Sequence, residues 1–64
     1  MAYIERPVEK GDEVEVSIEA ESPRGEGIAH IEKFAIFIKG ARKGERIRVR
    51  IKSVGNTFAI AERI

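Results

Sequence analysis

The 64-residue chain contains no cysteine, which excludes a disulfide framework and a thiolate metal site. Whatever core it has must come from packing alone, a condition that suits a reducing cytoplasm. It has one histidine, His30, so a zinc site would depend on carboxylates, and no ligand spacing supplies them. No apolar run approaches the roughly 20 residues that span a bilayer, and the N-terminal MAYIERPVEKGDE has no apolar export segment. These absences lead us to expect a cytoplasmic protein with no cofactor, no metal and no membrane partner.

Catalytic patterns are missing as well. Ser17, Ser22 and Ser53 have no partnered base in the sequence, and a serine in a strand or turn is ordinarily a polar surface residue. The glycines around Arg24 would need to open a helix to cradle a nucleotide phosphate, and no helical pattern follows them. A chain this short buries only about 60% of the surface that its unfolded form exposes, so a shielded active site is not expected. The sequence therefore reads as one domain over residues 1–64, with a core from about 8 to 63, that binds rather than catalyses.

Net charge is also small, at +1, yet its distribution is uneven. Residues 1–22 carry Arg6 and Lys10 against seven acidic residues, a net of −5, whereas residues 23–64 carry ten basic residues against four acidic ones, a net of +6. A polyanion-attracting side on a nearly neutral protein is the expectation.

What the chain does have is dense punctuation. Gly11, the Pro23-Arg24-Gly25-Glu26-Gly27 group, Gly40, Gly44 and Gly55-Asn56 stand between short runs rich in Val, Ile and Phe. Such spacing describes small antiparallel β architecture. In the first run Val14, Val16, Ile18 and Ala20 alternate with polar residues, the period of two of a half-buried strand. The glutamates between them read as a solvated face. GIAHIE supplies a second strand and FAIFIK a third. In the fourth, ERIRVRIKSV, Ile47, Val49 and Ile51 face inward. Gly55-Asn56 is expected to form a two-residue hairpin with φ > 0, and TFAIAERI follows as the fifth strand. Five short strands with glycine corners predict an all-β fold, a small five-stranded antiparallel barrel, because closure removes exposed edges.

Two features outlast this accounting. Arg46, Arg48, Arg50 and Lys52 form a cationic row on the outward face of the fourth strand. In the third, Phe34 and Phe37 have opposite parity, and since Ile36 and Ile38 share parity with Phe34, the ring left outside is Phe37, with Lys39 on its face. An exposed ring beside cations is the pairing used for single-stranded nucleic acid, in which rings stack on bases and Lys and Arg follow phosphates.

The succession PVEKGDEVEVSIEA, RGEGIAHIEKFAIFIKGARKGERIRVRI and FAIAE resembles the TRAM domain, in its short stand-alone archaeal form. The likeness runs from Pro7 to about Arg63 and rests on the ordered combination of Gly25, Gly27-Ile28-Ala29, the Phe37 strand, Gly40 and Gly44-Glu45. Where family members often have glycine before the aromatic strand, this chain has Lys33. The resemblance implies an OB-like barrel that binds tRNA and other structured RNA, and, for a stand-alone copy, an RNA chaperone of cold-shock type. It lends RNA contacts to Arg24, Gly25, Phe37, Lys39, Arg42 and Lys43. Gly27, His30 and the row Arg46, Arg48 and Arg50 complete the candidate surface, with the row ranked below the loops. The expected partner is RNA and the expected state a monomer. A protein-interaction or ribosome-associated barrel, with Phe37 docking a polypeptide and a merely solubilising basic face, is the alternative.

Overall fold

A computed structural model describes residues 7–64. Residues 1–6, which include Glu5 and Arg6 of the charge division and the first part of the N-terminal segment MAYIERPVEKGDE, lie outside the described residues. The fold is all-β. Its strands are β1 (Glu13–Ser17), β2 (Ala20–Glu21), β3 (Glu26–Ile31), β4 (Phe34–Lys39), β5 (Arg46–Val54) and β6 (Phe58–Arg63). They form one sheet in the order β1-β5-β6-β4-β3-β2.

The two edges of that order are arms of a single run of chain. β1 pairs with β5 and β2 pairs with β3. Between them the Ile18 N–H donates to the Glu45 carbonyl and the Glu19 N–H to the Ile28 carbonyl, both at 2.8 Å. The run thus changes partner after Ile18, and the sheet curls into a small OB-like barrel. This switch splits the expected first strand in two, giving six elements instead of five. It also turns Ala20 outward, although alternation from Val14 places it inward; Val16 and Ile18 are buried as expected and Ala20 is exposed.

Four of the five strand pairings are antiparallel, and β4 and β6 run parallel. The purely antiparallel expectation is corrected there: the chain leaves β4, crosses the barrel as β5, and returns as β6 in the direction of β4. The core holds Ile36, Ile38, Val49 and Ile51, all essentially inaccessible, with Ala29, Ala59 and Ala61 filling the narrow interior. Burial of each of the larger side chains stabilises the fold by about 1.5–3 kcal/mol.

Two turns decide what points outward. Glu32 and Lys33 join β3 to β4, and Glu32 takes the left-handed conformation (φ 54) that a glycine would adopt freely. Gly55 does not have the positive φ expected of it. Instead a three-residue connection closes with the Gly55 N–H donating to the Phe58 carbonyl at 2.7 Å, and a Cβ on Gly55 would lie 2.7 Å from the Phe58 ring. Gly55 is required by the approach of that ring, not by backbone handedness.

Candidate nucleic-acid interface

With Ala29, Ile36, Ile38, Ala59 and Ala61 committed to the core, the intervening residues of β3, β4 and β6 must face out. Register aligns them in rows. Ile28, Phe37 and Ile60 form one, His30, Ala35 and Phe58 the next, and Glu26 stands opposite Lys39. Phe34 is buried and Phe37 is on the outer face, half-buried, as its parity predicts. It is not alone there. The Phe58 ring meets it edge to face, with centroids 6.3 Å apart and planes at 68°, and Phe58 and Ile60 are 40% and 42% exposed. Neither was among the sequence-derived candidates. The period-two pattern of FAIAER carried the signal, because two inward alanines leave Phe58 and Ile60 outside.

The loops carrying Arg24 and Arg42 lie at one end of this face. The Gly40 N–H donates to the Gly25 carbonyl at 3.1 Å, and the Lys43 N–H to Glu21 Oε2 at 3.0 Å. Gly27 is buried between them: a Cβ there would come within 2.6 Å of the Ala41 Cβ and 2.9 Å of Ile18. Its place in the candidate set is therefore as a packing position that lets the loops approach, with no surface of its own to offer. Ser22 Oγ accepts from the N–H groups of both Arg24 and Glu26 at 3.2 Å, and Gly25 completes the turn with φ +86, a conformation open to glycine. Arg24, Lys39, Arg42 and Lys43 are exposed, and none has an ion-pair partner among the described residues. Beside them Arg24, Glu26, Phe37, Phe58 and Ile60 bound an open hollow of about 220 Å³.

The cationic row of β5 stands differently. Antiparallel pairing sets the acidic strand β1 directly beside it, with Glu13 opposite Arg50 and Glu15 opposite Arg48. Arg46 Nε binds Glu15 Oε1 at 3.1 Å, and Arg50 Nη2 binds Glu13 Oε2 at 3.0 Å. Arg50 and Lys52 also lie 3.8 Å from Glu62. The charge asymmetry along the chain is thus folded back upon itself, and among the described residues Arg48 is the one row member with no ion pair.

His30 is exposed on the same face as Phe58, with Nδ1 3.5 Å from Glu19 Oε2. Among the described residues no three His, Asp or Glu side chains gather as a metal site would need, and no helix is long and apolar enough to cross a membrane. Glu45 closes the second loop, accepting from the Arg42 N–H and from Arg63 Nη2, each at 2.7 Å. The Arg42 N–H first, and the Arg63 guanidinium after it, hold its carboxyl below the usual glutamate range.

A small OB-like barrel with aromatic residues on one outer face and cationic loops at its end belongs to the class of oligonucleotide-binding folds. The chain matches the TRAM domain family over residues 7–64 and belongs to it, a family of RNA-binding domains. It is 45% identical to a conserved protein of Methanococcus maripaludis with a solution structure, with a TM-score of 0.87 over 94% of this chain and 86% of that one. An uncharacterized protein of Methanocaldococcus jannaschii is 41% identical over 91% of this chain and 75% of its own length. The ribosomal RNA large subunit methyltransferase E of Methanocella arvoryzae is 37% identical over 94% of this chain, which spans 23% of that enzyme.

Proposed function

We propose that this chain is an RNA-binding module with chaperone-like activity, acting as a cytoplasmic monomer on tRNA or other structured RNA and catalysing no reaction of its own. The observation that carries this reading is the aromatic pair Phe37 and Phe58 outside the barrel, beside three loop cations, Arg24, Arg42 and Lys43, and Lys39 at the end of β4, none with an ion-pair partner among the described residues. Rings stack on bases of any sequence, and Lys and Arg follow the phosphates. Stacking faces are free only where RNA is unpaired, so binding favours the open form of a weak hairpin by mass action and needs no nucleotide hydrolysis. The Methanocella relative, named for ribosomal RNA, supports an RNA ligand.

The test is an RNA titration across salt concentrations. With about four phosphates contacted, log K against log salt falls with a slope of roughly −3 for a single strand; a slope near zero removes the electrostatic half of the reading. A fluorescent RNA hairpin that stays closed at saturating protein leaves a binder without chaperone activity.

A second reading, a protein-interaction or ribosome-associated barrel, is favoured by the aliphatic residues of the same face, where Ile60, 42% exposed, and the half-buried Ile28 flank Phe37 on either side. Such a patch is what a protein partner covers. Retention of a protein partner with little dependence on salt, and no RNA, supports it.

A further inference from the structure

We infer that the hollow bounded by Arg24, Glu26, Phe37, Phe58 and Ile60 receives a guanine base, whose Watson–Crick edge is read by the Glu26 carboxylate; this rests on the RNA-binding reading above. Glu26 is the anomaly that points there. Among the described residues it is the one acid bounding that hollow, set among Arg24, Lys39 and the aromatic pair. It is partly buried, yet neither its carboxylate nor the Arg24 guanidinium has an ion pair or a side-chain hydrogen bond among the described residues. A carboxylate in that position repels phosphate, so it is unsuited to following the backbone. It accepts hydrogen bonds only, through two oxygens side by side.

Among the four bases guanine alone presents two adjacent N–H donors, from N1 and the 2-amino group, along one edge. Cytosine, adenine and uracil each set an acceptor beside their donor, and that acceptor would face the second carboxylate oxygen. Guanine also carries O6 and N7 on its other edge, the pair that a guanidinium fork recognises. Arg24, two residues before Glu26, lines the same hollow. Ser22 holds both residues: its Oγ accepts from each backbone N–H at 3.2 Å, and its own N–H donates to the Glu26 carbonyl at 2.8 Å. The backbone that carries acid and guanidinium is thus held at the rim of an aromatic wall on which a purine can stack.

The experiment measures binding of a short oligouridine with one central nucleotide varied among uridine, adenosine, cytidine, guanosine and inosine, the last lacking the 2-amino group. Guanosine is expected to tighten binding about tenfold or more over uridine, and inosine to lose most of that gain. Glu26→Gln brings the guanosine-to-uridine ratio towards one and tightens binding of the all-uridine strand, because a negative charge beside the phosphates is gone. The inosine comparison uses the unaltered protein, so it stands whatever the variant does to folding. Equal affinity for all five strands, or inosine equal to guanosine, overturns the inference while a steep salt dependence leaves RNA binding intact. Failure of every strand to bind overturns both.

Discussion

Phe37 and Phe58 touch edge to face across the parallel pair β4 and β6, their centroids 6.3 Å apart, and neither ring enters the core. The pair accounts for one of the close approaches in the fold, since the Phe58 ring lies over Gly55 where a Cβ would sit. Two rings at a steep angle give one surface with two differently oriented π faces beside the loop cations.

Replacing an outer ring therefore separates stability from binding. Phe37→Ala is expected to cost about 1 kcal/mol of stability, chiefly the lost aromatic contact, and to weaken RNA binding by about 1–3 kcal/mol. Phe58→Ala behaves alike. Phe34→Ala, which empties a buried site, costs about 3–5 kcal/mol, enough to unfold a domain this small. Thermal melts and RNA titrations on the three variants check this. A Phe37→Ala protein that folds and binds as the parent does moves the weight to the protein-interaction reading.

Arginines of the loops and of β5 are expected to differ in their salt response. Arg24→Ala removes a cation with no ion-pair partner and should weaken binding to all strands while making the salt slope shallower by about 0.7. Arg50 is already matched by Glu13 and Glu62, so Arg50→Ala should change the slope less, with a stability cost of about 0–1 kcal/mol as for other exposed pairs. Slopes measured for both variants on one oligonucleotide decide it; equal changes would place the β5 row on the RNA as fully as the loops.

Gly27→Ala tests the joint between the two loops. Its Cβ would meet the Ala41 Cβ at 2.6 Å, the Ala41 carbonyl at 2.9 Å and Ile18 at 2.9 Å. Two of the three neighbours are close to the backbone and have little room to yield, so a loss of about 1–3 kcal/mol is expected, as for other overpacked sites. Chemical denaturation measures it, and an unchanged midpoint would show that the joint is loose.

The Glu45 carboxyl is held down by the Arg42 N–H and then by Arg63. A carboxyl whose pKa is lower in the folded than in the unfolded state contributes stability above its unfolded value and loses it as pH falls through the folded one. The unfolded reference is 4.5. Melting temperature should therefore fall on acidification below that value, and Glu45→Gln should flatten this part of the profile. Parallel profiles for parent and variant would speak against the Glu45 contacts in solution.

Local pattern alone established that the chain is all-β, that Ile36 and Ile38 lie inside, and that Phe37 lies outside. Each follows from the two-residue period of a strand, which any short segment displays by itself. The corners near Gly25, Gly40 and Gly44 were legible for a similar reason, since backbone handedness is a property of one residue. Tertiary structure decided which strands became neighbours, and so what the charges mean. The glutamates of β1 and the arginines of β5 are more than 30 positions apart, as Glu15 and Arg46 show, and nothing local records that they pair. Phe58 and Ile60 joined the site only through the parallel register of β6 on β4, and Gly55 gained its purpose from a ring three residues on. A strand's period says which side chains share a face; only closure of the barrel says what else lies on that face.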